Sequence, residues 1–392
     1  MIGLSRRISN LSPSATLAIT SRAKKMRSNG LDIVNFAAGE PDLAPPQYIG
    51  QAANKAIAEN FIRYTPSSGI PELKEAIRKK FLRDNNLCYE QEQVFVANGA
   101  KQCLFNLIQA LVDSRDEVII PAPYWVSYPE MVKFAGGAPI IACGDKDNSF
   151  KLNPCRLKQL VSQYTRLLIL NSPCNPAGYI YNKNELEDIA DICVERNIAV
   201  ISDEIYENIV YEGRHISIAS LGKKIYDLAF TVNGVSKAYA MTGWRIGYLG
   251  GNKDVVSAIG RLQDHSTSCA CSVAQMAALA ALSSDGEWLR EMAERFARRR
   301  KIILSLLDKI GLPYVRPRGA FYVFCNISKT GLRSQEFCRK LLEEKYVAAI
   351  PGAAFGCDDY IRISFATGSQ DIEKGMRRLQ EFCATAPSDK SA

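Results

Sequence analysis

The chain has 392 residues, of which 47% are hydrophobic and 23% charged, which is enough for two domains with a large buried core. It contains no run of roughly 18 apolar residues, the length needed to cross a bilayer, so the sequence predicts no membrane-spanning segment. The net charge of +8 is modest, and the basic run 298–301 has acidic neighbours such as Glu291 and Glu294. This mixture indicates a solvated helix face and disfavours a nucleic-acid-binding surface.

Twelve cysteines are spread from Cys88 to Cys383 without the close spacing of a small disulfide-bonded domain. No hydrophobic secretion signal precedes them, so we expect free thiols in a reducing compartment and a cytoplasmic protein. The pair Cys269 and Cys271 has no second Cys or His pair at metal-ligand spacing. The sequence therefore predicts no metal site.

Helical and strand-like segments alternate along the chain. The first is an amphipathic helix over 14–26, capped by Ser14 or Thr16. Later segments with helical spacing are 72–82, 100–111, 185–196, 287–310, 334–345 and a last helix through residue 382. Runs typical of strands are 33–36, 93–97, 117–123, 167–170, 199–202, 228–232, part of 316–324, 347–350 and 360–365. The alternation between about 90 and 250 predicts a mostly parallel sheet wrapped by helices, followed by a smaller domain.

Polar and aromatic side chains follow the ends of these predicted strands. In open parallel sheets, ligands bind beyond the carboxyl ends of the strands. Six residues occupy such positions: Asn98, Trp125, Asn175, Asp203, Tyr206 and Lys237. We therefore expect them to converge on one ligand site.

Several of these positions have two interpretations. Asp203 follows four residues that are expected to be buried, so its carboxylate requires a partner, either a structural group or a cofactor cation. Trp125 either stacks on a planar cofactor or packs at an interface. The turn at Gly39 either only reverses the chain or brings backbone close to a ligand. The break at Asn98 and Gly99 before a helix is typical of an anion site, although many α/β proteins contain several such turns.

Lys237 lies just past the predicted strand 228–232, and Arg245 follows it along the chain. A lysine amine in this setting forms Schiff bases with carbonyl compounds. The planar fork of an arginine binds phosphate or carboxylate. The alternative interpretation is a pair of solvated cations on a loop.

Four ordered motifs resemble those of the class I pyridoxal-phosphate aminotransferases: Asn175-Pro-Ala-Gly178, Ser202-Asp-Glu-Ile-Tyr206, Ser236-Lys237 with Gly243-Trp-Arg-Ile-Gly-Tyr248, and Arg362-Ile-Ser364. The similarity runs from Gly3 to residue 382 and is closer to the bacterial-type (class Ib) aspartate aminotransferase subgroup, some members of which accept prephenate. It implies the pyridoxal-phosphate-dependent transferase fold type I. This is an α/β architecture whose large domain has a mostly parallel seven-stranded sheet wrapped by helices, with a smaller α+β domain beside it. The large domain would cover 46–283, and the small domain would combine 1–45, including an N-terminal arm, with 284–392.

The resemblance also implies roles around the cofactor, pyridoxal 5′-phosphate. Lys237 would hold it as a Schiff base and then move the substrate Cα proton, work that needs a base of moderate pKa. Asp203 would pair with the pyridinium nitrogen, so that the ring can accept electrons. Tyr206 and Asn175 would hydrogen-bond the ring oxygen, and Trp125 would stack on the ring face.

Other residues would hold the phosphate or the substrate. Ala100 and Lys101 at a helix N-terminus would bind the phosphate with Arg245, and Ser236 would also contact the cofactor. Tyr64 would reach the phosphate of a neighbouring subunit, which implies a homodimer with shared active sites. Substrate contacts would come from Gly39, Trp125, Asn175, Lys101 and Arg362, the last clamping the α-carboxylate.

The chain departs from part of the pattern for acidic substrates. Animal-type aspartate enzymes bind the side-chain carboxylate with an arginine from the partner subunit, but the corresponding stretch 263–269 has none. The bacterial-type subgroup uses a lysine at the position of Lys101 instead. Many relatives also have a lysine near Ser12, which this chain lacks. His265 is unusual, and we interpret it as a core or interface residue.

The predicted function is a ping-pong exchange of an amino group between an L-amino acid, aspartate or glutamate, and a 2-oxo acid such as 2-oxoglutarate or oxaloacetate. Prephenate is an alternative acceptor. A second alternative is a C–S lyase of the same fold. A third, a non-enzymatic sensing module, is disfavoured because the residues for the chemistry are retained. The expected partners are these small molecules, and neither nucleic acid nor a membrane.

Overall fold

The computed structural model describes residues 2–146 and 148–385. Within these residues the strands are β1 (Val34–Asn35), β2 (Val94–Ala97), β3 (Glu117–Ala122), β4 (Ala138–Cys143), β5 (Thr165–Asn171), β6 (Ala199–Asp203), β7 (Ala229–Gly234), β8 (Gly247–Gly250), β9 (Tyr314–Val315), β10 (Tyr322–Asn326), β11 (Val347–Ala348), β12 (Ile350–Pro351) and β13 (Tyr360–Ser364). The α-helices are α1 (Arg6–Ser9), α2 (Ala15–Ser28), α3 (Gln47–Ala58), α4 (Pro71–Asn85), α5 (Ala100–Leu111), α6 (Ser127–Ala135), α7 (Pro154–Leu160), α8 (Lys183–Glu195), α9 (Lys223–Leu228), α10 (Val235–Ala238), α11 (Lys253–Asp264), α12 (Ser272–Leu282), α13 (Glu287–Ile310), α14 (Ser334–Lys345) and α15 (Ser369–Thr385).

The central sheet has seven strands in the order β2-β8-β7-β6-β5-β3-β4. All neighbouring pairs are parallel except those that β8 makes with β2 and β7, which are antiparallel. Strands β2, β6 and β7 are almost entirely buried, as continuous apolar runs covered by helices on both faces should be. The predicted α/β class and the mostly parallel seven-stranded sheet are therefore confirmed.

Two smaller sheets lie outside this central one. The first is antiparallel, with strand order β12-β13-β10-β9. The second pairs β1 near the start of the chain with β11 in parallel, Val34 opposite Val347. Phe36 packs so closely on α15 that a Cβ on Gly375 would overlap its ring. The beginning and the end of the described chain therefore share one core.

Helix and strand positions follow the sequence pattern where that pattern is strong. Helix α2 begins after Ser14, whose hydroxyl accepts a hydrogen bond from the Leu17 amide at 3.5 Å, as predicted for a cap. The single strand predicted over 347–350 is wrong: Ala349 separates β11 and β12, which belong to different sheets. Helix α12 was not predicted, because it consists mostly of small apolar residues and has no continuous polar face to mark its period.

No helix among the described residues is long and apolar enough to cross a membrane.

Gly247 lets β8 lie directly against the start of α5. A Cβ at this position would overlap the backbone of Gly99 and Ala100, atoms that cannot rotate away as a side chain end would. We predict that Gly247→Ala lowers the free energy of unfolding by about 1–3 kcal/mol, the usual range for overpacking.

The matched control is Gly260→Ala in α11, where a new Cβ would meet only the Phe95 ring edge at 3.9 Å. It should be neutral or slightly stabilising, since alanine favours helix. Urea unfolding of the two variants measures the difference. Equal stability of both variants and the wild type would show that the close approach is not needed.

Candidate active site

The carboxyl ends of the parallel strands form one edge of the central sheet. Asn175 follows β5, Asp203 ends β6, and Lys237 follows β7. Because β8 runs antiparallel, Arg245, which precedes it, lies at this same edge. The predicted convergence of polar residues is thus a consequence of the strand order.

Lys237 is partly buried in the short helix α10, and its Nζ donates a hydrogen bond to the Gly39 carbonyl at 2.6 Å. Burial lowers the pKa of Lys237 to about 8. Glu40 opposes this shift, while Arg245 and Arg362 add to it. About a tenth of the amine is therefore neutral at pH 7, far more than at the ordinary lysine pKa of 10.5, and a nucleophile or a proton acceptor requires this neutral form. The Gly39 turn does more than reverse the chain, since its carbonyl holds the lysine.

Asp203 is 5% exposed and receives a hydrogen bond from the Tyr128 hydroxyl at 2.6 Å. A second, longer one comes from the Ile205 amide at 3.3 Å. Burial raises the pKa of Asp203 to about 6, although the Tyr128 hydrogen bond lowers it. A carboxylate in this setting is stabilised by any nearby cation, because a cation compensates for the lost hydration.

Asn171 and Asn175 connect strand β5 to the rest of the site. The Asn171 side chain donates to the backbone carbonyl of Asp203 at 2.9 Å and accepts from the Asn175 amide at 2.7 Å. Asn175 in turn accepts a hydrogen bond from Arg362 at 2.9 Å. These bonds tie the ends of β5 and β6 to β13 of the smaller antiparallel sheet.

Arg362 is 3% exposed, and within the described residues no carboxylate pairs with it. Its Nη atoms donate to Asn175 and to the Ala37 carbonyl, at 2.9 and 3.0 Å, whereas its Nε has no hydrogen-bond partner there. Its guanidinium carbon lies over two aromatic rings, 4.3 Å from the centre of Tyr322 and 5.3 Å from that of Phe355. Burial lowers the pKa of Arg362. A buried cation with a free donor is suited to bind a carboxylate.

Arg245 lies against the turn at the start of α5. Gly99 has a φ of +88°, and a Cβ there would overlap the Arg245 guanidinium. Arg245 is exposed and donates to the carbonyls of Thr242 at 2.8 Å and Asn98 at 3.3 Å. The first N–H groups of α5, those of Ala100 and Lys101, have no carbonyl partner in a preceding turn, and such a helix start is suited to bind an anion.

Lys101, in the first turn of α5, lies over the ring of Trp125. The Lys101 amine lies 4.8 Å from the centre of the Trp125 ring, and that ring meets Tyr128 edge-on at 5.3 Å. Partial desolvation lowers the pKa of Lys101, and the nearby Arg245 lowers it further. Trp125 therefore lies between a cation and the tyrosine that holds Asp203.

Three further residues were predicted for the site, and two of them are buried. Ser236 is buried next to Lys237. Tyr64 is 91% exposed and belongs to the surface of the described chain, so the structure does not bring it to the other residues. Tyr206 is buried, and its hydroxyl lies 2.9 Å from that of Tyr322.

Tyr128, Tyr322 and Glu40 were missed as site residues. Tyr128 follows Trp125 by almost one helical turn, a spacing that marks a shared face. Tyr322 carried no local signal, because it reaches the site only through the pairing of β10 with β13. Glu40 was visible only as part of a turn motif.

A buried ionic cluster lies next to Asp203 along the chain. Glu204, Glu207 and His215 have ligand atoms within 4.8 Å of one another, as in a metal site. Lys80 pairs with Glu207, and Asn85 donates to Glu204 at 3.1 Å and to Glu207 at 2.7 Å. Burial would raise the pKa of Glu204, but its contacts with His215 and two serines lower it. Lys80 already offsets the negative charge of this cluster. The cluster anchors the turn after β6.

The family model "Aminotransferase class I and II" matches residues 31–379. The chain belongs to this aminotransferase family. It is 46% identical to an aspartate aminotransferase of Geobacillus stearothermophilus over 97% of this chain and 98% of that protein. It is 41% identical to a "Probable aspartate/prephenate aminotransferase" of Aquifex aeolicus over 97% of this chain and 98% of that protein.

Solved structures of the family have the same fold. An aspartate aminotransferase from Thermus thermophilus with maleate gives a TM-score of 0.94 at 41% identity and covers 97% of this chain and 100% of that one. An aspartate aminotransferase from Rhizobium meliloti gives a TM-score of 0.95 at 38% identity and covers 99% of this chain and 100% of that one. The family membership and the fold-type prediction are thereby confirmed, and the protein is an aminotransferase.

The neutral amine of Lys237 should control its reaction with carbonyl compounds. With a pKa of about 8, its rate of reaction with a small aldehyde should rise with pH and level off above that value. Glu40→Gln removes a charge that raises this pKa, so the neutral fraction at pH 7 should increase about two- to fourfold, as expected for a solvent-screened carboxylate.

Borohydride trapping followed by peptide mapping measures this rate at Lys237 alone. Glu59→Gln is the control, because Glu59 pairs with Lys55 on the surface at 3.8 Å. A midpoint near 10.5, the ordinary value for lysine, would contradict the electrostatic description of the site.

Proposed function

We propose that the protein is a pyridoxal-phosphate-dependent aminotransferase that exchanges the amino group between L-aspartate or L-glutamate and a 2-oxo acid in a ping-pong reaction. The observation that carries this proposal is the meeting of three groups at one sheet edge: the Lys237 amine, the Asp203 carboxylate and the Arg362 guanidinium. The names of the full-length relatives in G. stearothermophilus and T. thermophilus support aspartate as a substrate.

The donor set fits pyridoxal phosphate. Lys237 offers an amine to a carbonyl group, and buried Asp203 needs a cation, which a protonated ring nitrogen supplies. The α5 N-terminus with Arg245 offers N–H groups to a phosphate, and Gly99 leaves room for that guanidinium. Tyr206 offers a hydroxyl, and Trp125 a ring face.

Bound pyridoxal phosphate supplies a carbonyl that condenses with amines and a ring that accepts electrons. Lys237 would hold it through its amine, and the same amine would accept the proton from the substrate Cα. The Lys237 pKa of about 8 suits both directions of this transfer. Asp203 would keep the ring nitrogen protonated, and Tyr128 holds the Asp203 carboxylate with a hydrogen bond of 2.6 Å.

Arg362 is proposed to bind the substrate α-carboxylate. Its free Nε and its buried charge provide a bidentate site, and Asn175 fixes the guanidinium from the side at 2.9 Å. The Gly39 backbone lies close by, since its carbonyl holds Lys237. The Cα–H bond of a substrate clamped in this way is presented to the amine that removes the proton.

Lys101 is proposed to bind the distal carboxylate of an acidic substrate. Its amine is held over Trp125 near the site, whereas 263–269 contains no arginine. Prephenate is a second candidate acceptor, and the name of the A. aeolicus relative favours it. Ser12, where many relatives have a lysine, is a departure from the pattern for acidic substrates.

A homodimer and two domains complete the proposal. Tyr64 would enter the partner's site, and its surroundings are apolar and exposed: Ile57 is 54%, Phe61 37% and Ile62 60% exposed. The proposed large domain, 46–283, contains the whole central sheet. The pairing of β1 with β11 supports one small domain from 1–45 and 284–392, of which Met1 and 386–392 lie outside the described residues.

Single-turnover kinetics test the substrate assignment. The holoenzyme is mixed with aspartate, glutamate, alanine or phenylalanine, and conversion of the cofactor to its amine form is followed by absorbance. Aspartate and glutamate should react at least tenfold faster than alanine. Lys237→Ala, the negative control, should lack the absorption band of the lysine-bound cofactor.

Lys101→Ala separates recognition of the side chain from the chemistry. It should reduce kcat/KM for aspartate about 10- to 100-fold, the effect of losing a charge-assisted hydrogen bond, and change that for alanine less than threefold. Equal losses for both substrates would contradict the role of Lys101. Equal rates for aspartate and alanine in the wild type would contradict the dicarboxylate assignment.

A further inference from the structure

Tyr322 contacts three parts of the site at once. It is 1% exposed, and its hydroxyl lies 2.9 Å from that of Tyr206. Its ring centre is 4.3 Å from the Arg362 guanidinium carbon. If Gly39 carried a Cβ, that atom would lie 3.3 Å from the Tyr322 hydroxyl. Tyr322 therefore also borders the turn whose carbonyl holds Lys237.

We propose that Tyr322 is a positioning residue that aligns the carboxylate-binding guanidinium of Arg362 with the cofactor-binding hydroxyl of Tyr206. This inference rests on the proposed function and adds to it a residue that links substrate binding to cofactor binding.

The ring of Tyr322 holds Arg362 without using its hydrogen-bond donors. Strand pairing places Phe324 opposite Arg362, so Tyr322 is its diagonal neighbour on the same face of the sheet. An aromatic face attracts a cation, and this attraction is strong where both are buried. Because the guanidinium carbon lies over the ring faces of Tyr322 and Phe355, which take no conventional hydrogen bond from it, its free Nε remains available to a carboxylate.

The hydroxyl of Tyr322 orients that of Tyr206. Each hydroxyl has one proton, so if Tyr322 donates to Tyr206, the Tyr206 proton is free to donate to the ring oxygen of the cofactor. Burial, together with the neighbouring Tyr322 hydroxyl, raises the pKa of Tyr206, which therefore remains a donor. Ring and hydroxyl thus have separable tasks.

Two substitutions separate these tasks in the holoenzyme. Tyr322→Phe keeps the ring, so the Kd for maleate should change less than twofold. The hydrogen bond that Tyr206 donates to the cofactor's ring oxygen should weaken, which leaves that oxygen more negative. The pH midpoint of the cofactor's absorption change should therefore rise by about 0.5 unit. Tyr322→Leu removes the ring, and the Kd for maleate should rise about tenfold.

Each variant has a matched control in the same part of the chain. Tyr314→Phe removes a hydroxyl that donates to Asp308 at 2.8 Å, and Phe382→Leu removes a buried ring that packs on Phe337. The Phe382 variant should lose thermal stability but keep the wild-type Kd for maleate. The Tyr314 variant should keep the wild-type pH midpoint.

The outcomes distinguish this inference from the proposed function. A wild type without a lysine-bound cofactor band, or without conversion by amino acids, would contradict the proposed function itself. If the wild type shows both and the Tyr322 variants match their controls in Kd and pH midpoint, the positioning role is wrong. If Tyr322→Phe weakens maleate binding as much as Tyr322→Leu, the assignment of separate tasks is wrong.

Discussion

The site depends on a carboxylate that is held away from water. Asp203 ends a buried strand, and burial raises its pKa from the ordinary 3.8 to about 6. Between these values the folded protein keeps a proton that the unfolded chain has released, so ionising Asp203 costs stability as the pH rises through this window. Tyr128 and the Ile205 amide offset part of that cost. A cationic ring nitrogen in the proposed cofactor would offset more of it, and binding would then stabilise the ionised form.

The other groups of the site complement this carboxylate. Lys237 shifts in the opposite direction, to about 8, so burial brings an acid and a base toward neutral pH in one place. The two smaller sheets contribute as well. Arg362 reaches Asn175, and Tyr322 reaches Tyr206. The candidate site therefore lies where the central sheet meets the shared core of the chain's beginning and end.

Much of the fold and of the candidate site could be predicted from the sequence, because the signals lie in short stretches of the chain. Helix α13 has the predicted bounds because its periodic apolar face is long. Asp203 and Lys237 could be predicted as site residues because a polar residue directly after a buried parallel strand lies at the edge of the sheet where ligands bind. Tyr322 and Tyr128 could not be assigned in this way. Their roles arise from strand register and from contacts between distant segments, such as the hydrogen bond between Tyr128 and Asp203.

The protonation state of the bound cofactor's ring nitrogen tests the central claim most directly. Labelled with ¹⁵N and followed by NMR in the holoenzyme, this nitrogen should remain protonated through pH 8 in the wild type. In Asp203→Asn, an isosteric variant without the charge, it should be neutral, and the reaction with aspartate should slow about a hundredfold or more. A neutral ring nitrogen in the wild type, or a protonated one in both proteins, would contradict the proposed pairing of Asp203.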